Sequence, residues 1–284
     1  MIAFAALAPW IDILAKMAAG SIPPVQMSLA RFALQAALLF PVVALTAGLR
    51  LPAPRILRLH LARGVLMALA SVAFIAAVQA MPLADAMAIF FVTPLILTAL
   101  GGLLLGEEVG WRRLSACLVG FLGAILVVRP SFADLGWVAT LPLATALCFV
   151  AYILLTRRLS GSEGAVAMQA WSGLFGTLTA AALLVVGASL GWASFAPVWP
   201  DAGGWALMAG TGIVATVSHL FLVAAFARAP TPILAPLQYL EIVSATLFGY
   251  WLFGDFPEPL TWAGIAIIVG SGLFVLWREA RVRG

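Results

Sequence analysis

Residues Pro82–Glu107 read PLADAMAIFFVTPLILTALGGLLLGE, and residues Pro230–Asp255 read PTPILAPLQYLEIVSATLFGYWLFGD. Each opens on proline, stays largely apolar for about the 20 residues that a helix needs to cross the hydrocarbon core, and closes on glycine and a carboxylate. Backbone polar groups in lipid must be satisfied within the structure, so only helices or a closed barrel can span it. A barrel strand alternates polar and apolar positions, whereas the runs Ala33–Ala44 and Leu95–Leu105 do not. The two stretches therefore predict an all-α, polytopic membrane protein.

The rest of the chain points the same way. Of its 284 residues 64% are hydrophobic and 9% charged, too little polar surface to cover a water-soluble globule. Charge, proline and glycine punctuate it into spans at about 2–20, 26–48, 60–80, 84–105, 111–128, 137–156, 165–190, 204–227, 231–253 and 260–277. The opening segment Met1–Gly20 lacks a basic leader and carries Asp12 and Lys16, so it reads as the first membrane helix rather than a signal peptide. Cys117 and Cys148 fall in apolar stretches and read as small core residues.

The net charge of +4 is topology information. With the N-terminus cytoplasmic, Arg50, Arg55, Arg58, Arg63, Arg112, Arg113, Arg157, Arg158, Arg228, Arg278, Arg281 and Arg283 all fall on the inner side, and Arg129 alone among the arginines falls outside. Lys and Arg favour the cytoplasmic side, so both termini are expected inside, which requires an even number of helices. No basic patch with interleaved aromatics marks a nucleic-acid surface.

The two quoted stretches also form a weak repeat, and after a one-residue insertion Gly123 falls opposite Gly272. Five spans per half is odd, so the second half is expected to lie inverted relative to the first. Inverted repeats are a mark of carriers, whose halves exchange conformations about a midplane site. In the same register Gln238 and Glu241 correspond to Phe90 and Thr93.

Trp10, Ala30-Arg31-Phe32, and Thr93-Pro94 followed by Leu105-Gly106-Glu107 resemble the EamA-type carriers of the drug/metabolite transporter superfamily, over nearly the whole chain. The resemblance implies two five-helix units, 1–130 and 131–284. It implies a central cavity lined by helices 1, 3, 4, 6, 8 and 9, and metabolite movement across a bacterial inner membrane. Among such carriers are ones for amino-acid-like compounds, S-adenosylmethionine and riboflavin. The second half departs from the pattern: Glu241-Ile242 stands where a proline is expected near the counterpart of Pro94, and Asp255 replaces the usual glutamate.

An ionisable side chain deep in a bilayer costs about 2.5–3.5 kcal/mol on insertion scales and asks for a reason. Glu241 is expected near the midplane, with Gln238 one turn away and Tyr239 beside them, together able to grip a cationic or hydrogen-bonding substrate. The alternative is a structural, protonated or paired Glu241. Phe90 and Thr93 are expected on the facing wall. His219 is expected at a depth where it can meet Glu241 and couple proton movement to transport, or act as a hydrogen-bonded structural residue. Asp12 and Arg31 are expected as an ion pair between helices 1 and 2, or as gate or substrate contacts. Lys16 can compete for Asp12 or snorkel outward. Trp10, Tyr152 and Trp171 are candidates for stacking on a planar substrate, with interfacial anchoring or packing as the alternative. Glu107 and Asp255 read as helix caps or loop anchors.

The competing class is an intramembrane lipid-modifying enzyme, which needs paired aspartates, H-E-x-x-H or a nucleophile and base constellation; none is present. His60 and His219 on different segments make no zinc motif, so no metal and no cofactor is expected. A channel has no need of an inverted repeat. The expected partners are a small-molecule substrate, the lipid bilayer, and protons or a counter-substrate, with the chain a monomer or weak homodimer.

Overall fold

The structure, a computed structural model, describes residues 1–46, 48, 51–81, 83–106, 110–128, 136–192, 195–253 and 259–283. Side chains are described for these residues except 84, 85, 127, 128, 249, 250, 252, 253, 276 and 278–283. Arg50, Pro82, Glu107, Arg129, Gly254 and Asp255 lie outside the described residues, as do the side chains of Arg278, Arg281 and Arg283.

Proline starts many of the helices, because its missing N–H is an orphan there in any case. The helices are α1 (Ile2–Met17), α2 (Pro24–Thr46), α3 (Pro54–Ala80), α4 (Leu83–Phe90), α5 (Thr93–Leu105), α6 (Trp111–Val128), α7 (Thr140–Leu159), α8 (Ala165–Ser189), α9 (Ala202–Arg228), α10 (Thr231–Leu234), α11 (Leu240–Phe253) and α12 (Pro259–Arg283). No strand occurs among the described residues. Asp201 caps α9 by accepting from Gly204 N at 2.7 Å. Among the described residues six stretches are each long and apolar enough to cross a membrane: Pro24–Thr46, Pro54–Ala80, Ala86–Leu105, Gly136–Leu159, Ala165–Ser189 and Ala202–Arg228. Trp111, Trp137, Trp192, Trp199, Trp251 and Trp262 are exposed at or just beyond helix ends, the placement of interfacial anchors.

Two expected spans are not continuous helices. The span expected over 84–105 breaks at Phe91–Val92, and the one over 231–253 passes through a 3₁₀ segment, Ala235–Tyr239. Proline is the cause in both. Pro94 has no N–H to give Phe90 O four residues back, and Pro236 has none for Pro232. At the first break the Thr93 hydroxyl donates to Phe90 O instead, and Tyr239 OH donates to Phe91 O at 3.2 Å. A third proline, Pro9, leaves Ala5 O without its helical partner, and the Ser244 hydroxyl of α11 donates to it. Broken backbone at membrane depth is tolerated where such donors satisfy it.

Lipid gives helices no hydrophobic reason to associate, so close packing through small residues does. α2 and α8 form the most extensive helix contact, with α6–α12 and α3–α7 next. Gly64 of α3 abuts α8 so closely that a Cβ there would stand 2.4 Å from Phe175 Cβ and 3.0 Å from Gly176 N.

Two apolar cores mark the two ends of the bundle. One gathers Leu159, Met168 and Phe226 with Met1 and Ile56, and so lies toward the face that carries the N-terminus. The other gathers Ala15, Ala18, Ile22, Val78, Met81 and Met208 toward the opposite face. Each end has its own cationic clasp. Lys16 Nζ, expected to meet Asp12 or snorkel, instead donates to Val78 O (2.6 Å) and Met81 O (3.0 Å) at the end of α3. Arg157 donates to Phe226 O (3.0 Å) at the end of α9. Helix C-termini attract cations and expose unpaired carbonyls.

Candidate functional site

Between the two cores lies a central cavity of about 70 Å³. Its walls come from α1 (Phe4, Ala8, Ile11, Asp12), α3 (Met67, Ala70, Ser71, Phe74, Ile75), α4 (Met87, Phe90), α7 (Thr145, Phe149), α9 (His219) and α11 (Glu241), and Arg31 reaches in from α2. Ligand pockets commonly measure about 300–1,000 Å³, so the cavity as it stands is smaller than one that encloses a drug-sized ligand.

The polar groups sit among four phenyl rings. Arg31, 4% exposed, donates from Nη1 to Ser71 Oγ at 3.0 Å and lies 3.3 Å from His219 Nε2. A guanidinium has no acceptor, so Nε2 is the acceptor and the ring proton resides on Nδ1, which donates to Ala215 O at 3.1 Å. Ser28 Oγ stands 3.1 Å from Ser71 Oγ. Phe4 meets the His219 ring edge to face at 5.7 Å, and Phe90 packs on Phe74 at 5.4 Å and on Phe149 at 5.6 Å. Asp12 and Glu241 are buried within electrostatic reach of each other, and Asp12 within reach of Arg31. Glu241 occupies the first turn of α11, where the helix dipole favours a negative charge.

The expected Asp12–Arg31 ion pair does not form: among the described residues no ion pair within 4 Å joins them, because Arg31 turns to Ser71 and His219. His219 and Glu241 share the cavity, but His219 bonds to Arg31 and Ala215.

Of the residues expected to bind substrate, the cavity takes Phe90 and Glu241; the other six lie elsewhere. Thr93 is wholly buried and bonded to Phe90 O. Tyr239 faces α6, 3.9 Å from Cys117 Sγ, where Gly120 leaves room for its ring. Gln238 is buried with Nε2 unpartnered. Trp10 packs on Phe248 at 5.0 Å. Trp171 packs on Phe40, His60 and Phe175. Tyr152 bonds to Arg63 and Gln169.

Sequence reasoning passed over Phe4, Phe74, Phe149 and Ser71. For Ser71 a signal existed. α3 and α9 are both 27 residues long, and in that register Ser71 stands opposite His219. The phenylalanines carry no such mark in an apolar chain.

The EamA-like transporter family matches residues 1–129 and 136–277. A riboflavin transporter of Rhizobium johnstonii is 32% identical over 222 residues, covering 78% of this chain and 71% of its own length. An S-adenosylmethionine uptake transporter of Rickettsia felis is 26% identical over 78% of this chain and 72% of its own. A pseudopaline exporter of Pseudomonas aeruginosa is 28% identical over 91% and 88%. One crystal structure superposes with a TM-score of 0.78 at 21% identity over 95% of each chain, a likeness of fold. With a helical membrane fold, a central cavity and a family match over both halves, this chain belongs to the EamA-like transporter family.

Proposed function

We propose that this protein is a secondary carrier that moves a small zwitterionic metabolite with an apolar or aromatic body across the bacterial inner membrane by alternating access. The observation that carries the reading is the company the cavity keeps. Asp12 and Glu241 offer two carboxylates, Arg31 with its neighbour His219 offers a cationic donor, and Phe4, Phe74, Phe90 and Phe149 surround them. A substrate with both signs of charge can satisfy each group as it replaces water, and the rings accept its body. Amino-acid-like compounds and nucleoside derivatives that carry an amino-acid group, such as S-adenosylmethionine, meet that description, whereas an uncharged vitamin such as riboflavin would engage the rings and the hydrogen-bonding groups alone. The relatives' names support the first step only: they transport, and they differ in what they transport.

Ten crossings in two inverted five-helix units, 1–130 and 131–284, accompany this reading. Supporting it, Lys16 and Arg157 each stand four residues before a glycine, Gly20 and Gly161. Val78 and Phe226 each stand two residues before the end of their helices. The two clasps, Lys16 on Val78 O and Arg157 on Phe226 O, therefore join equivalent positions at opposite faces. The arginine bias supports a cytoplasmic N-terminal face. Asp12, Glu241 and His219 are the groups through which a proton or a counter-substrate exchanges with the substrate.

The test is counterflow in proteoliposomes, with labelled amino acids, S-adenosylmethionine and riboflavin offered in turn. Exchange of a zwitterionic solute that an excess of its unlabelled form abolishes is the expected result. Failure of every solute in a broad screen, with chemical change of a lipid instead, would replace the carrier with an intramembrane enzyme.

A further inference from the structure

One turn from the cavity, toward the N-terminal face, one side chain of the first half bonds to two helices of the second. Arg63 of α3 is 0% exposed. Its Nε donates to Thr156 Oγ1 at 3.0 Å, Nη2 to Tyr152 OH at 3.2 Å, both on α7, and Nη1 to Met168 O on α8 at 2.9 Å. Its guanidinium also lies over the Tyr152 ring, 4.7 Å from the centroid. The chain of bonds continues: Tyr152 OH donates to Gln169 Oε1 at 2.7 Å, and Gln169 O accepts from Gln35 Nε2 of α2 at 2.7 Å. Met67, four residues from Arg63, and Phe149, three residues from Tyr152, line the cavity itself.

The opposite end has no counterpart. In the register that pairs α3 with α9, the place of Arg63 is held by Thr211, which is wholly buried and whose hydroxyl has no partner. In the register that pairs Lys16 with Arg157, the places of Tyr152, Thr156 and Gln169 are held by Ile11, Ala15 and Ser28. The N-terminal end is thus tied across the halves by a buried polar junction, whereas at the other end Gln26 of α2 and Val198 exchange two exposed bonds, Nε2 to Val198 O at 2.8 Å and Val198 N to Oε1 at 2.9 Å, and Lys16 and Gln79 donate to carbonyls within the first half.

The chemistry of the junction suits something that opens. The hydrogen-bond partners of Arg63 are two hydroxyls and a carbonyl, with no carboxylate among them. A buried charge without a counter-ion forgoes its hydration at a cost that neutral partners offset only in part. An arrangement that wets Arg63 therefore recovers hydration as it loses these bonds, and the two arrangements stay close in energy. A permanent clamp would be better served by an ion pair.

We propose that the Arg63–Tyr152–Thr156–Gln169 junction is the latch that holds the carrier closed on its N-terminal face, and that α3 parting from α7 and α8 opens it. The proposal rests on the alternating-access reading, which wild-type counterflow tests separately.

A sided accessibility measurement decides it. In a background carrying Cys117→Ala and Cys148→Ala, Ala70→Cys places a reporter thiol on the cavity wall, and a membrane-impermeant maleimide is applied to right-side-out or inside-out vesicles. With the latch weakened by Tyr152→Phe and Thr156→Val, labelling from the N-terminal face is expected to rise about tenfold, the population shift that corresponds to losing bonds to a charged group. Labelling from the opposite face is expected to fall. Arg63→Lys, which keeps the charge and loses the fork, is expected to act in the same direction. Unchanged labelling in variants that remain monodisperse in detergent overturns the latch. So does labelling that rises equally from both faces, since that marks a tie serving stability alone. If the wild type itself exchanges no solute, the carrier reading fails instead.

Discussion

Replacing Thr93 by valine tests how the break between α4 and α5 is sustained. Phe90 O would be served in a regular helix by the N–H of residue 94, and proline has none. The Thr93 hydroxyl supplies that bond, and Thr93 is wholly buried, so valine leaves the carbonyl without its donor. Hydrogen bonds within membranes average about 0.6 kcal/mol and reach about 1.7, and a stranded buried acceptor adds to the loss. Thr93→Val is therefore expected to cost about 1–2 kcal/mol. In a Pro94→Ala background, the backbone N–H restored at that position can reach Phe90 O, and the same substitution is expected to cost less than about 0.5 kcal/mol, a coupling of about 1 kcal/mol. The cycle is measured by reversible unfolding in mixed detergent and dodecyl sulfate micelles. Additivity within about 0.3 kcal/mol would refute the reasoning, since it would mean that Thr93 and Pro94 do not share Phe90 O. Substrate affinity is expected to change less than about twofold in Thr93→Val, because the residue lies outside the cavity lining.

Three further outcomes follow from the same geometry. Glu241→Gln keeps size and burial but removes a carboxylate from the cavity; counterflow is expected to fall at least about tenfold with insertion and size-exclusion profile unchanged, and full activity would remove Glu241 from the mechanism. Arg31→Lys cannot reach Ser71 and His219 from one planar fork, and apparent substrate affinity is expected to weaken about tenfold in a competition assay. Gly64→Ala forces a methyl to within 2.4 Å of Phe175 Cβ and 3.0 Å of the α8 backbone; thermal unfolding in detergent is expected to register a loss of about 1–3 kcal/mol.

The sequence by itself determined that this is a helical membrane protein, and nearly where each helix lies. Those facts follow from local quantities: apolar length, proline and glycine punctuation, and the placement of charge. It also singled out Asp12, Arg31, His219 and Glu241, because an ionisable group in lipid is conspicuous wherever it points. Only tertiary structure decided their partners. Arg31 chose Ser71 and His219 over Asp12, a matter of helix rotation that spacing along one chain does not fix. Thr93 and Tyr239 went to carbonyls freed at a proline break, and Tyr152 went to Arg63. The aromatic walls of the cavity could not be read from a chain in which aromatics are common, for a phenyl ring facing a cavity and one facing a neighbouring helix obey the same pattern. The fold was legible because the bilayer imposes it segment by segment, and the site was not, because it exists only where helices distant in sequence meet.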